Sequence, residues 1–285
     1  MDEFNLGHVN RSNNEFVYAG GKGINVSIVL NNLEVKSKAL GFIAGFTGDE
    51  IERRVREFGC DTDFIKLKEG MSRINVKIKA DVESEINGGG PEISAEALEE
   101  LYGKLDTLKS GDILVLAGSI PKTMPTDVYE RIMERLQEKG VKFIVDTTGE
   151  SLLKVLKYNP FLIKPNHHEL GELFGVKLNN KEEVIGYAKK LKDMGAQNVI
   201  ISMAGDGAVL INSNGDVTTN NVPKGVVKNS VGAGDSMVAG FIAGYLNSGK
   251  IEEGFKLGVA TGSASAFSEG LATKDYVYEL LEQVK

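Results

Sequence analysis

The chain has little cysteine, little histidine and no long apolar run. Cys60 is the only cysteine among 285 residues. That excludes a disulfide framework and a thiolate zinc site, and makes a reducing cytosol the expected compartment. Histidine offers no metal site either: His167 and His168 are sequence neighbours, so their rings do not converge on one ion, and His8 is the only other. No apolar run reaches the roughly 18 residues of a membrane-spanning helix, and the first residues do not read as a signal peptide. Positive charge is scarce as well. Lys and Arg number 33 against 40 Asp and Glu, a formal charge of −7. No basic face for nucleic acid is expected, so phosphorylated ligands must be drawn by local cations.

What is present is an ordinary globular balance, 41% hydrophobic and 26% charged. The length allows one large α/β domain or two small ones. Glycine is plentiful at 34 residues, and many lie between strand-like and helix-like segments, where turns hold ligands.

Along the chain, residues 1–19 are polar with scattered apolar positions (Phe4, Leu6, Val9, Phe16, Val17), closer to strand than helix. A glycine loop then opens a helix to about Asn32. Lys38 to Phe46 reads as a strand, followed by a helix from Asp49 to Phe58. Thr62–Leu67, Ser72–Ala80 and Val82–Asn87 alternate with the two-residue period of antiparallel strands. From residue 94 helix and strand alternate strictly: helices at 94–108, 125–138, 149–156, 167–174 and 181–194, strands at 112–117, 141–146, 161–164 and 198–203. This predicts a mostly parallel sheet with helices on both faces. A hairpin (208–211 with 217–220) and helices at 233–247, 251–267 and 273–282 close the chain. No repeat or interdomain linker interrupts it. The antiparallel set near 3–17 and 62–87 stands outside the parallel alternation. It fits a flap over the carboxyl ends of the parallel strands, where such sheets bind ligands.

The strongest motif is Asn229-Ser-Val-Gly-Ala-Gly-Asp-Ser-Met-Val-Ala-Gly240, a glycine turn entering an apolar helix. Gly232, Ala233 and Gly234 leave their N–H groups open to an anion at the positive end of the helix dipole. Asp235 has two readings, a carboxylate favouring the first helical turn or a base taking a hydroxyl proton while those donors hold a phosphoryl group. Gly20-Gly-Lys-Gly-Ile-Asn25, earlier in the chain, is another glycine loop at a helix start. It lacks the Walker spacing and is either a turn with a solvated lysine or a polar-ligand contact.

Lys164-Pro-Asn-His-His-Glu169 follows a strand. Asn166 and Glu169 form a capping pair, which alone explains both; the functional alternative puts Lys164 near nucleotide phosphates and Glu169 near a hydrated Mg²⁺. Ser202-Met-Ala-Gly-Asp-Gly207 is a turn at a strand end. It is a plain hairpin turn or a nucleotide rest. Ser119, after the strand 112–117, is explained by turn chemistry, with a sugar contact as the alternative. Arg73 is a fixed cation on a flap strand, solvated or turned toward a phosphate.

Residues 19–27 together with Asn229–Gly240 resemble the two signatures of the ribokinase-like (PfkB) carbohydrate kinases, and the resemblance runs from residue 3 to the end. Gly21-Lys-Gly-Ile-Asn-Val-Ser27, Ser72-Arg-Ile-Asn75 and Glu85-Ile-Asn-Gly-Gly-Gly-Pro-Glu-Ile93 are most similar to the hexose-phosphate branch. The resemblance implies a single three-layer α/β/α kinase domain with a β flap. It implies transfer of the ATP γ-phosphoryl group to a ketohexose monophosphate: D-fructose 1-phosphate first, with tagatose 6-phosphate or fructose 6-phosphate as alternatives. A reading from another class is a sugar-phosphate-binding regulator without turnover. By motif, Asp235 matches the family base and Gly232, Ala233 and Gly234 its anion hole. Gly21, Lys22 and Asn25 match the sugar loop, with Arg73 and Ser119 on the substrate side. Asn166 and Glu169 match the magnesium-associated pair, and Lys164, Ser202, Gly205 and Gly207 the nucleotide side. Mg²⁺ with ATP, a monovalent cation beside it and a homodimer through the flap complete what the family suggests. Two departures stand out. Ala204 replaces a frequent glycine, an exchange that Gly205 is expected to absorb. The family's first strand and its substrate-binding aspartate have no counterpart here, so some 15–20 upstream residues are expected, a ~5–6-residue strand plus a loop.

Overall fold

The computed structural model describes residues 3–284. Helix α1 (Lys22–Asn32) starts at the first glycine loop, with Gly21 at φ 130° as its N-cap. Then come β1 (Lys38–Ala39), β2 (Phe42–Ala44), α2 (Gly45–Glu57), β3 (Asp61–Thr62), β4 (Ile65–Leu67), β5 (Asn75–Ile78) and β6 (Ser84–Asn87). The helix–strand alternation follows: α3 (Ala95–Leu105), β7 (Ile113–Ala117), α4 (Val128–Leu136), β8 (Lys142–Asp146), α5 (Gly149–Val155), β9 (Leu162–Ile163), α6 (His167–Phe174), α7 (Lys181–Asp193) and β10 (Val199–Ser202). The hairpin β11 (Ala208–Ile211) and β12 (Val217–Asn220) leads to α8 (Ala233–Ser248), α9 (Ile251–Ala266) and α10 (Lys274–Leu281).

The main sheet has the order β12-β11-β10-β9-β8-β7. Its strands β7 to β10 run parallel, and the β11–β12 hairpin adds two antiparallel strands. The buried strands are apolar on both faces, as a sheet covered twice requires. Ile144, Leu162, Ile200 and Leu210 pack into the layer that contains α1, α8, α9 and α10. Their neighbours Val145, Ile163, Ile201, Val209 and Ile211 point to the opposite layer, built on α3 to α7. The three-layer α/β/α architecture therefore follows from the two-residue period of the strands.

Helix α8 is the central helix: every residue from Asp235 to Gly244 is buried. It packs on α9 through glycine. A Cβ on Gly240 would lie 2.3 Å from Thr261 Oγ1, and one on Gly258 would lie 2.9 Å from the Met237 carbonyl. Larger residues would drive the helices apart.

Three expectations are corrected. Residues 38–46 do not form one strand: β1 and β2 are separate, and β3 and β4 run parallel to them rather than joining an antiparallel flap. Helix α2 lies between the paired segments, and a crossover of that length returns the chain in the parallel sense. No strand forms within residues 3–17. There Asn10 ties its side chain to the backbone of Asn5 and His8, and Ser12 bonds the Asn14 carbonyl; such local bonds compete with a ladder. Finally, Ala204 itself adopts φ 47°, whereas Gly205 does not. The left-handed turn thus falls on a residue with a Cβ, at about 1 kcal/mol. The flap proper is the antiparallel pair β5–β6, in the register Asn75↔Asn87 and Lys77↔Glu85.

Candidate active site

An open cleft of about 500 Å³ lies at the carboxyl ends of the parallel strands, between them and the flap. It collects Gly21, Lys22 and Asn25 from the first loop, Arg73 from the flap, Lys164, Asn166, Glu169 and Ser202 from the strand ends, and Gly232, Gly234 and Asp235 from the second loop. Gly205, Gly207, Ala233 and Ser119 are not among the lining residues. Ser119 is exposed, and the turn that carries it is fixed by backbone: the Gly118 N–H donates to the Asp146 carbonyl at 3.0 Å.

Gly232 caps α8 at φ 80°, and an added Cβ would lie 2.8 Å from Leu271 Cδ2. The turn is therefore restricted to glycine by both conformation and space. No side chain caps the helix; the Ala233 N–H turns to the Ser230 carbonyl at 3.3 Å, while those of Gly234 and Asp235 stay available at the positive end of the dipole. Asp235, one turn in, is 6% exposed and accepts a hydrogen bond at 2.8 Å from Asn25 Nδ2. Burial pushes its carboxyl above the ordinary value, with help from the nearby charge of Asp146; the Asn25 hydrogen bond, Lys22 and Lys164 oppose that rise.

Asp146 was not marked by any sequence motif, and it organises the centre of the cleft. It ends β8 and is 2% exposed. Lys22 Nζ lies 3.2 Å from its Oδ2 and Lys164 Nζ 3.5 Å from its Oδ1. The Lys22 ammonium is disfavoured by burial, but attraction to and hydrogen bonding with Asp146 outweigh this and hold it above its usual range. Lys164 points at the second loop: a Cβ on Gly234 would meet its Nζ at 3.1 Å. A lone aspartate after an apolar strand carries no local signal; only the register of β8 beside β7 and β9 brings it here.

Asn166 and Glu169 do form the capping box. Asn166 Oδ1 accepts from the Glu169 N–H at 2.9 Å, and Glu169 Oε2 accepts from the Asn166 N–H at 2.8 Å. Both also face the cleft, so the structural and functional readings hold together. Arg73 has no hydrogen bond or ion pair among the described residues. The lining charges are Lys22, Arg73, Lys77 and Lys164 against Glu85, Asp146, Glu169 and Asp235. The cleft is thus balanced inside a chain of net −7, which spares a phosphorylated ligand the repulsion of the whole. Among the described residues no helix is long and apolar enough to cross a membrane, and no cluster of His, Cys, Asp and Glu could hold a metal by itself.

Known proteins resemble this chain over nearly its whole length. The profile of the pfkB family carbohydrate kinases matches residues 2–276. A 1-phosphofructokinase of Bacillus subtilis is 51% identical over all of this chain and 93% of its own length. A D-tagatose-1-phosphate kinase of Bacillus licheniformis is 36% identical, covering 97% of this chain and 91% of the relative. The crystal structure of Escherichia coli phosphofructokinase-2 in complex with substrates and products superposes with a TM-score of 0.86 at 26% identity, over 93% of this chain and 87% of that one. The chain belongs to the pfkB family of carbohydrate kinases, and its fold is ribokinase-like.

Proposed function

We propose that the protein transfers the γ-phosphoryl group of ATP to D-fructose 1-phosphate, giving fructose 1,6-bisphosphate and ADP. The observation that carries this is the buried Asp235 carboxylate in the first turn of an uncapped helix, with Lys22 and Lys164 nearby. The sugar C6 hydroxyl oxygen forms the new bond to phosphorus, the bond to the ADP oxygen breaks, and Asp235 takes the hydroxyl proton. Its raised proton affinity makes it a stronger base than a solvent-exposed aspartate. The N–H groups of Gly232 and Gly234 and the ammonium of Lys22 take the charge that develops on the phosphoryl oxygens; that of Ala233, the third residue of the motif, is held by the Ser230 carbonyl. Lys164, with the turn from Ser202 to Gly207, serves the nucleotide, while Gly21, Asn25 and Arg73 hold the sugar phosphate.

The donor set suits Mg²⁺ brought by ATP. Asp146 Oδ1 is buried without a hydrogen bond, its ion-pair partner being the Lys164 ammonium at 3.5 Å, and the capping box occupies only Oε2 of Glu169. These are hard oxygen ligands for an ion that keeps most of its waters. Bound there, the ion would neutralise phosphate charge.

We further read the whole chain, 1–285, as one kinase domain with a flap, acting in the cytoplasm as a homodimer. Ile74, Val76 and Ile86 on the flap are 56%, 46% and 60% exposed, and a two-stranded sheet is marginal unless it packs on something.

The second reading keeps the chemistry and changes the sugar to a tagatose phosphate, favoured by the 36%-identical tagatose-phosphate kinase. A coupled ADP-release assay tests both, with ATP against fructose 1-phosphate, tagatose 1- and 6-phosphates, fructose 6-phosphate and fructose. Highest kcat/KM on fructose 1-phosphate is expected. No turnover of any ketohexose phosphate would leave the regulator reading instead.

A further inference from the structure

Four carboxylates line the cleft, and three have duties already described. Asp146 holds two lysines, Glu169 closes the capping box, and Asp235 faces the open helix end. The fourth, Glu85, is on the flap. It stands opposite Lys77 in the β5–β6 register, so both side chains lie on the flap face that also carries Asn75 and Asn87, and all four line the cleft. Lys77 Nζ donates to Glu85 Oε1 and forms an ion pair with it. Glu85 nevertheless stays 42% exposed.

A carboxylate is a costly thing to keep in a cleft meant for two phosphorylated ligands, because it repels both. Its presence needs an interaction that offsets the repulsion. A sugar phosphate offers two kinds of group, a phosphate that wants cations and hydroxyls that want acceptors. Arg73, two residues before β5, is a cleft-lining cation without a partner among the described residues. Glu85 is the acceptor: an ionised carboxylate has about four lone-pair sites, so the bond from Lys77 leaves room for hydroxyl donors. Pairing with Lys77 also keeps the carboxylate ionised and pulls its proton affinity below the usual range.

We infer that Glu85, oriented by Lys77, is a specificity-determining acceptor for the sugar hydroxyls of the phosphorylated substrate. The inference rests on the proposed function only in requiring that a polyol phosphate enters this cleft. Glu85 touches the substrate, whereas Lys77 is a positioning residue that acts through it. The flap then reads both ends of the ligand, rejecting a free sugar for want of phosphate and a bare phosphate for want of hydroxyls.

The test is calorimetric titration of the full chain with fructose 1-phosphate, inorganic phosphate and ATP, for wild type, Glu85→Ala, Glu85→Gln, Lys77→Met and Lys77→Met/Glu85→Ala. Glu85→Ala should weaken fructose 1-phosphate by at least about tenfold, the scale of losing a charge-assisted hydrogen bond, and leave ATP within about twofold. Inorganic phosphate, which has no sugar hydroxyls, should bind Glu85→Ala as well as or better than wild type. Glu85→Gln should recover part of the loss, and the double variant should match Glu85→Ala alone. Tighter or unchanged fructose 1-phosphate binding by Glu85→Ala would overturn the inference, because that is what repulsion by an idle carboxylate gives. An equal weakening of inorganic phosphate would overturn it too, by reducing Glu85 to a prop for the flap. A further tenfold loss in the double variant would make Lys77 a direct phosphate ligand. Turnover by wild type is read in parallel. If a ketohexose phosphate binds without being phosphorylated, the proposed function fails while the titrations still decide the role of Glu85; if none binds, both fall.

Discussion

Asn25, in the first turn of α1, donates its side-chain amide to Asp235 Oδ2 at 2.8 Å across 210 positions of sequence. The bond joins the two glycine loops and fixes the carboxylate on one oxygen. It also opposes the rise in proton affinity that burial causes, and burial prevails. Asp235 is thus held in place and kept basic by separate groups.

Replacing Asp235 with Asn should cut kcat by at least ~10²-fold, the scale of losing a positioned base. Near-normal turnover in steady-state assays would remove Asp235 from the mechanism.

The same variant has a stability signature. Because the folded state raises the Asp235 carboxyl above its ordinary value of 3.8, its contribution is fully present below that pH. It is lost as pH rises through the folded value. At pH 7 Asp235→Asn should therefore melt at or above wild type, and the gap should close near pH ~4, where the free carboxyl titrates. Calorimetric scans at the two pH values check the sign; a variant that melts lower at pH 7 would contradict it.

Asp146→Ala would leave Lys164, 4% exposed, as a buried cation without its partner. Breaking such a pair from one side costs about 3–5 kcal/mol. Urea unfolding should show a loss of that order, with lower kcat as Lys22 loses its anchor. A change below about 1 kcal/mol would mean that Lys164 finds another partner or solvent.

Arg73→Ala should raise KM for the sugar phosphate by about tenfold or more, on the scale of one charge-assisted contact, with KM for ATP nearly unchanged. Equal effects on the two would place Arg73 outside phosphate recognition, as would wild-type use of unphosphorylated fructose on a par with its phosphates.

Light scattering at micromolar concentration should give the mass of a dimer, and Val76→Lys with Ile86→Lys on the exposed flap face should shift it toward the monomer. A monomeric wild type would mean that the flap closes on something other than a second copy.

Much of this was legible in the residues alone. The alternation from 94 to 282 predicted nearly every helix and strand there, because amphipathic period and caps act within a few residues: Asn166 and Glu169 announce the start of α6 by themselves. The second glycine loop announced the mouth of α8 for the same reason. Where pairing is long-range, the sequence was silent or misleading. Alternation in 62–67 is equally compatible with either strand direction, and only packing beside β1 and β2 made it parallel. Residues 3–17 have strand-like spacing, but side-chain bonds to their own backbone took the place of a ladder.

The sequence by itself determined the local chemistry of the site: two loops that leave N–H groups open, a carboxylate in a first helical turn and a capping pair. Tertiary structure alone decided which charges face one another. Asp146 follows an apolar strand and is indistinguishable in sequence from any strand-end aspartate. It becomes the partner of Lys22 and Lys164 because parallel strands deliver their carboxyl ends to one edge. Ala204 likewise takes φ 47° where Gly205 was free to, since the surrounding turn, and not local preference, sets its backbone.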